Sequence, residues 1–204
     1  MTVDGRGDGP DLLEAAWRQV AERGWRRWSA VELAQATGTP LATVYALFPD
    51  PEHLVVALAR RVDAAMLAMP LDELAQMSVR ERLFELVMRR LEAMRPYRAG
   101  LRAVGREAVC EPRLLALAWG NLERLAAWLL DAGGAGFEGP RACFARRALQ
   151  LAYVRVLRVW LADDSADLAR TMAELDRRLA ELETLARLLG GGPAPWPGRS
   201  AEAA

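Results

Sequence analysis

Few residues in this chain have the type and spacing for covalent or proton-transfer chemistry. His53 is the one histidine, and Cys110 and Cys143 are the two cysteines, neither in a CxxC pair. A metal site needs three or four such ligands converging, so one is poorly supplied here, and no cofactor is expected. Asp163 and Asp164 are adjacent, but they stand at a break between helical stretches, where a carboxylate caps a helix. There is no GxSxG elbow and no P-loop, and no glycine fingerprint follows a strand candidate. These residues argue against an enzyme. The two thiols read as buried and reduced, which places the chain in the cytoplasm. What remains is the chemistry of hydroxyls and guanidinium groups. Arg26, Arg27, Ser29, Thr39, Thr43 and Tyr45 gather in one short stretch, and such groups bind phosphate oxygens.

The composition bounds the setting. The 204 residues allow one large domain or a small one plus a medium one, and 52% hydrophobic with 26% charged residues is enough to build a core. No apolar run approaches the ~20 residues of a membrane span. Met1 to Pro10 is rich in Gly and Asp without an apolar stretch, and is expected to be a disordered tail rather than a secretory signal. Formal net charge is zero, all basic side chains are Arg, and the basic excess typical of a dedicated nucleic-acid binder is absent.

The elements that would position these groups are helices. Apolar residues recur at helical period between clear stop signals. A first helix runs from about Asp11 to Arg23, with Leu12, Leu13, Ala16, Trp17 and Val20 on one face and Gly24 ending it. Ser29 and Glu32 have capping-box spacing, and a second helix follows to Thr37, stopped by Gly38. Thr39 and Pro40 open a short third helix, Leu41 to Leu47, and Asp50 and Pro51 open a fourth to about Ala68. Beyond Pro70, helices are expected from Ser78 to Met94, Tyr97 to Val109, Pro112 to Leu130, Pro140 to Ala162 and Ala166 to Leu189. That makes nine helices, an all-α fold, with residues 190–204 a Gly/Pro-rich disordered tail.

Two short helices joined by a Gly-containing turn form the unit that lays its second helix in a DNA major groove. Val31, Leu33 and Ala34 can pack on Leu41, Val44 and Phe48 beneath the first helix. The stretch 29–49 resembles the N-terminal signature of the TetR family of transcriptional regulators through Leu33-Ala34, Gly38, Thr43-Val44-Tyr45 and Phe48, with Ala15-Ala16 and Gly24-Trp25 upstream. The resemblance implies a helix-turn-helix domain over 11–68, a ligand-binding and dimerisation domain over 69–189, and a ligand-responsive repressor. It also implies that Thr43 and Tyr45 give their hydroxyls to phosphates. The DNA-binding residues expected are Arg26, Arg27, Ser29, Thr39, Leu41, Ala42, Thr43 and Tyr45; Tyr45 also suits a half-buried packing role. Between Arg27 and Arg60 there is no Lys or Arg, and over 11–62 six acids face six arginines. Phosphate neutralisation supplies most non-specific affinity, so that term is expected to be weak. His53 reads as a solvated side chain or a phosphate contact.

The remaining helices carry broad apolar faces. Phe84, Val87, Met88, Leu91, Leu115, Trp119, Leu122 and Trp128, on helices expected to bury almost no acid or base, are expected either to line a pocket for a small apolar or lipid-like ligand or to form an ordinary core. Leu149, Ala152, Val156, Met172, Leu175 and Leu179 match the helices that form a four-helix homodimer interface in the resembled family. A two-fold dimer would set two recognition helices roughly 34–36 Å apart on duplex DNA. The stretches 160–165 and 171–178 are also similar to the C-terminal region of TetR-fold lipid-binding auxiliary proteins of coenzyme Q (ubiquinone) biosynthesis. That second resemblance implies a lipid-binding accessory protein that does not bind DNA. The residues alone give a plainer reading of the same stretch. Asp164 or Ser165 caps the last helix, Asp176 pairs with an Arg on a neighbouring turn, and Trp160 anchors the corner.

Overall fold

The computed structural model describes residues 11–108, 111–136, 139–188 and 192–193. Its elements are α1 (Leu12–Arg23), α2 (Ala30–Thr37), α3 (Leu41–Leu47), α4 (Glu52–Leu67), α5 (Leu71–Gln76), α6 (Val79–Ala93), α7 (Arg98–Glu107), α8 (Pro112–Gly133), α9 (Gly139–Ala162) and α10 (Ala169–Leu188). Short 3₁₀ turns cover Trp25–Arg27 and Arg95–Tyr97. Ala135–Gly136 pairs antiparallel with Gly192–Pro193. Residues 1–10, 189–191 and 194–204, which hold the expected tails apart from Gly192 and Pro193, lie outside the described residues, as does Cys110.

The nine expected helices are present among the described residues, with α5 as a tenth. Its six residues are too few to set up a periodic pattern, and no side chain caps it. Contacts divide the chain into two compact units. The first takes residues 1–59 and 96–115, so α7 groups with the N-terminal helices; the second takes 60–95 and 116–204.

In the first unit, α1 packs on α7 and α2, and α2 on α3. Asp11 caps α1 by accepting from the amides of Leu13 at 3.0 Å and Glu14 at 3.1 Å. Its buried stripe is Leu13, Ala16, Trp17 and Val20. The Trp17 ring lies 6.5 Å from that of Trp25 and meets the Tyr97 ring edge-on at 6.3 Å. α7 approaches this cluster at Gly100, where a Cβ would stand 2.8 Å from the Trp17 carbonyl oxygen. Gly38 turns α2 into α3 with φ at 66°, a conformation that costs glycine no Cβ clash.

In the second unit, α10 packs on α9 and α6. Ser78 and Glu81 complete a reciprocal capping box on α6: the Ser78 amide donates to Glu81 Oε2 at 2.7 Å, and the Glu81 amide to Ser78 Oγ at 3.3 Å. The expectation of almost no buried charge is overturned here. Arg82 is buried and donates to the backbone carbonyls of Leu74 at 2.6 Å and Gly133 at 3.3 Å. Arg90 is buried between Asp63, 2.9 Å away, and the Tyr153 hydroxyl. Each guanidinium is tolerated because its donors meet hydrogen-bond acceptors inside the unit.

The last helix begins at Ala169 rather than Ala166, and Asp163 is the reason. Its carboxylate accepts from the Ser165 amide at 3.2 Å, the Ser165 hydroxyl at 2.5 Å, the Thr171 amide at 2.9 Å and the Thr171 hydroxyl at 2.7 Å. These bonds hold 163–168 as a non-helical corner, with Leu168 at φ 53°. Asp163 thus takes the ordering role expected of Asp164 or Ser165. Asp176 pairs with Arg80 of α6 at 2.7 Å rather than with a neighbouring turn, and Trp160 is fully buried at the corner.

Candidate nucleic-acid interface

α3 is set by two anchors. Val44 is fully buried and Phe48, one turn on, nearly so, and Leu33 of α2 is buried with them. Val31 and Leu41, expected in that packing, are instead half-exposed, at 50% and 47%. Val31 stands two residues, about 200°, from the buried Leu33 and so on another side of α2. Leu41 shares a face with Val44 but stands in the first residue of α3, at the open end of that helix.

The outer surface of α3 therefore presents Leu41, Ala42, Thr43, Tyr45, Ala46 and Leu47. Tyr45 is 62% exposed, so the half-buried packing role does not apply and its hydroxyl is free to meet a ligand. Thr39 does not cap α3. Its Oγ1 accepts from the Thr37 hydroxyl at 3.0 Å, and the Pro40 carbonyl takes the first amides, Thr43 and Val44. Ser29 does cap α2, accepting from the Glu32 amide at 3.4 Å, but the box is half-built. The Glu32 carboxylate turns to α1, where it accepts from Gln19 Nε2 at 2.9 Å and pairs with Arg23. The Ser29 amide donates to Gln19 Oε1 at 3.4 Å.

The cations are few and partly engaged. Arg27 is exposed. Arg26 is exposed as well, but its Nε donates to Glu111 Oε1 at 2.7 Å. The preceding turn is held by Glu107 at the end of α7, whose carboxylate accepts from the Trp25 amide at 3.0 Å and the Arg26 amide at 3.2 Å. Sequence reasoning missed both glutamates, because their partners lie about eighty positions away. One signal was available: an acid in the last turn of α7 opposes the helix dipole and so wants donors. His53 is not simply solvated. Its Nδ1 lies 2.6 Å from Asp50 Oδ1, and Asp50 also accepts from the His53 amide at 3.1 Å. These bonds hold the Asp50 carboxyl below its ordinary range.

The other expected site residues divide by burial. Val87 and Leu91 are buried, and Phe84, Met88 and Leu122 are half-buried. Leu115, Trp119 and Trp128 are exposed. The buried stripe of α8 is Leu114, Leu125, Ala126 and Leu129, and at about 100° per residue the two tryptophans flank it on either side. Arg147 lies over the Trp119 ring at 4.8 Å. Leu149, Ala152, Val156, Leu175 and Leu179 are buried within the chain, where α9 meets α10, and Met172 is half-buried. They fill the chain's own core rather than a surface offered to a second copy. Cys143 is exposed, against the expectation of a buried thiol, because it sits on the outward side of the first turns of α9. Among the described residues no group of three or more His, Cys, Asp or Glu is placed to hold a metal, and no helix is long and apolar enough to cross a membrane.

The described residues thus form a predominantly helical fold that presents a short, outward-facing α3 from a helix-turn-helix. Solved structures of TetR transcriptional regulators share this fold. One, from Nitrosomonas europaea ATCC 19718, superposes with TM-score 0.70 at 20% identity, over 85% of this chain and 96% of that one. Another, from Rhodococcus sp. RHA1, gives TM-score 0.58 at 21% identity, over 84% and 92%. A TetR variant from Acinetobacter baumannii AYE, in complex with minocycline, gives 0.50 at 23% identity, over 85% and 95%. No family model and no curated protein matches the sequence.

Proposed function

We propose that this protein is a DNA-binding transcriptional regulator that works as a homodimer and responds to a small ligand held in its second unit. The observation that carries the reading is α3 itself. Val44 and Phe48 lock it into the first unit while the Thr43 and Tyr45 side chains face outward, in a fold shared with TetR regulators. Hydroxyls so placed suit phosphate oxygens and fix register on a duplex. Arg27, and Arg26 once it leaves Glu111, supply the charge.

The ligand is proposed to lie among Phe84, Val87, Met88, Leu91 and Leu122. That a protein of this fold holds minocycline supports a small organic ligand. The two copies are proposed to meet through the outer stripe of α9 rather than through the residues expected from sequence. Phe144, Ala148, Leu151, Arg155, Arg158 and Ala162 recur at alternating spacings of four and three, the period of a helix–helix seam. Ligand entry would then bias the spacing of the two α3 helices, a two-state equilibrium. The corner 160–165 that resembles the lipid-binding auxiliary proteins is accounted for by the bonds of Asp163 and the burial of Trp160, and nothing among the described residues favours that second reading.

The test is a salt titration of binding to duplex from the protein's own promoter region. Affinity is expected to fall linearly on logarithmic axes, with a shallow slope that reflects few phosphate contacts. No binding even at low salt overturns the proposal.

A further inference from the structure

α3 reads Leu41-Ala42-Thr43-Val44-Tyr45-Ala46-Leu47. It contains no Arg, Lys, Asn, Gln, Asp or Glu. Each base edge in the major groove calls for a particular partner: a guanidinium or ammonium for guanine, an amide for adenine, a carboxylate for cytosine, and an apolar group for the thymine methyl. On α3 only the last of these is available. The Thr43 hydroxyl pairs with donors and acceptors alike and so discriminates little. The exposed amide Gln35 belongs to α2, the helix that in this motif crosses the backbone.

The geometry sharpens this. Taking Val44 and Phe48 as the inward pole, the opposite pole of the helix falls on Ala42 and Ala46. Tyr45 lies on one flank, Thr43 and Leu47 on the other. The most protruding positions are therefore methyl groups, which let the helix backbone come close to a groove floor, while the hydroxyls sit to the sides where the phosphates run.

We infer that α3 reads duplex DNA through thymine 5-methyl groups, with Ala42 and Ala46 as the specificity-determining contacts and Thr43 and Tyr45 fixing register on phosphates. This rests on the DNA-binding reading above and names the class of sequence it recognises: half-sites defined by thymines rather than by guanines.

Selection from a random duplex library with the full chain, followed by replacement of each selected thymine with deoxyuridine, tests it, because uracil differs from thymine only by the methyl. Contacted thymines are expected to lose about fourfold in affinity on replacement, the worth of one buried methyl-sized group, with the salt slope unchanged. Ala42→Gly is expected to abolish the uracil penalty at one position, and Ala46→Arg to convert one selected base to guanine. Binding that is intact but insensitive to uracil, or half-sites set by guanine, overturns this inference and leaves the regulator standing. Failure to bind any duplex at low salt overturns both.

Discussion

Arg90 carries a full charge into the core of the second unit, and its partners decide whether that is tolerable. Asp63 lies 2.9 Å from its Nε, Met94 Sδ lies 3.2 Å from its Nη1, and the Tyr153 hydroxyl completes the set. Burial pushes the Tyr153 hydroxyl above its ordinary range, so it stays neutral, although Arg90 pulls the other way. Asp63→Ala leaves the guanidinium without its counter-charge and is expected to cost about 3–5 kcal/mol, measured by urea unfolding. Asp163 gives a second residue-level expectation, in pH. The Ser165 hydroxyl first, then the Thr171 hydroxyl and amide, hold its carboxyl far below the ordinary range against the opposing push of burial. A depressed carboxyl stabilises the fold above its unfolded value and loses that contribution as pH falls through the folded one. The stability gap between wild type and Asp163→Asn should be full at neutral pH and shrink below about pH 4, as read by urea unfolding across a pH series. Asp163 was legible as a capping carboxylate at a helix break, but the buried arginines were not. Arg82 and Arg90 look like any other of the chain's arginines, and only tertiary packing marks them as buried.

At the scale of elements the sequence was far more informative, because helix boundaries are written locally. Ser29, Gly38 and the Ser78–Glu81 pair each act through neighbours three or four residues away, and each lies where its pattern placed it. What pattern did not reveal is which face each helix turns to which partner. Leu149, Val156 and Leu175 form an apolar stripe that serves a partner copy or the chain's own core equally well, and the structure assigns it to the core. The same blindness hid the contact between α7 and the turn before α2. Glu111 pairs with Arg26, the cation that the proposed function would offer to a phosphate. Glu111→Gln is expected to free that cation, tighten duplex binding at low salt and steepen the salt dependence by about one contact, ~0.9 in the logarithmic slope. An unchanged slope would show that Arg26 plays no part in binding. The α1–α7 packing makes a separate prediction. Gly100→Ala drives a Cβ into the Trp17 ring and carbonyl, and a loss of about 1–3 kcal/mol is expected from the overpacking, seen as a lowered Tm.

For the molecule as a whole, charge and apolar surface are distributed unevenly. The chain is neutral overall, yet α9 carries Arg141, Arg146, Arg147, Arg155 and Arg158 with no acid among its residues. The same helix exposes Leu151 at 68% and Phe144 at 52%. Large apolar side chains exposed along one stripe of a helix suit an interaction surface, and a two-fold axis makes such a stripe complementary to itself. If Leu151 lies on that axis in an antiparallel pairing, Arg158 of one copy meets Phe144 of the other, a cation over an aromatic face. Arg155 then approaches the other copy's Arg147, whose charge is already offset by Glu123 within its own chain. The seam therefore need not fail from like-charge repulsion. Leu151→Glu places four carboxylate oxygens at the axis and is expected to give a folded monomer by sedimentation, with unchanged helical circular dichroism. Duplex affinity should fall with it, since a monomer holds only one half-site. Val156→Glu buries its carboxylate in the chain's own core, and should unfold the protein instead of dissociating it. A folded dimer carrying Leu151→Glu would move the seam off α9.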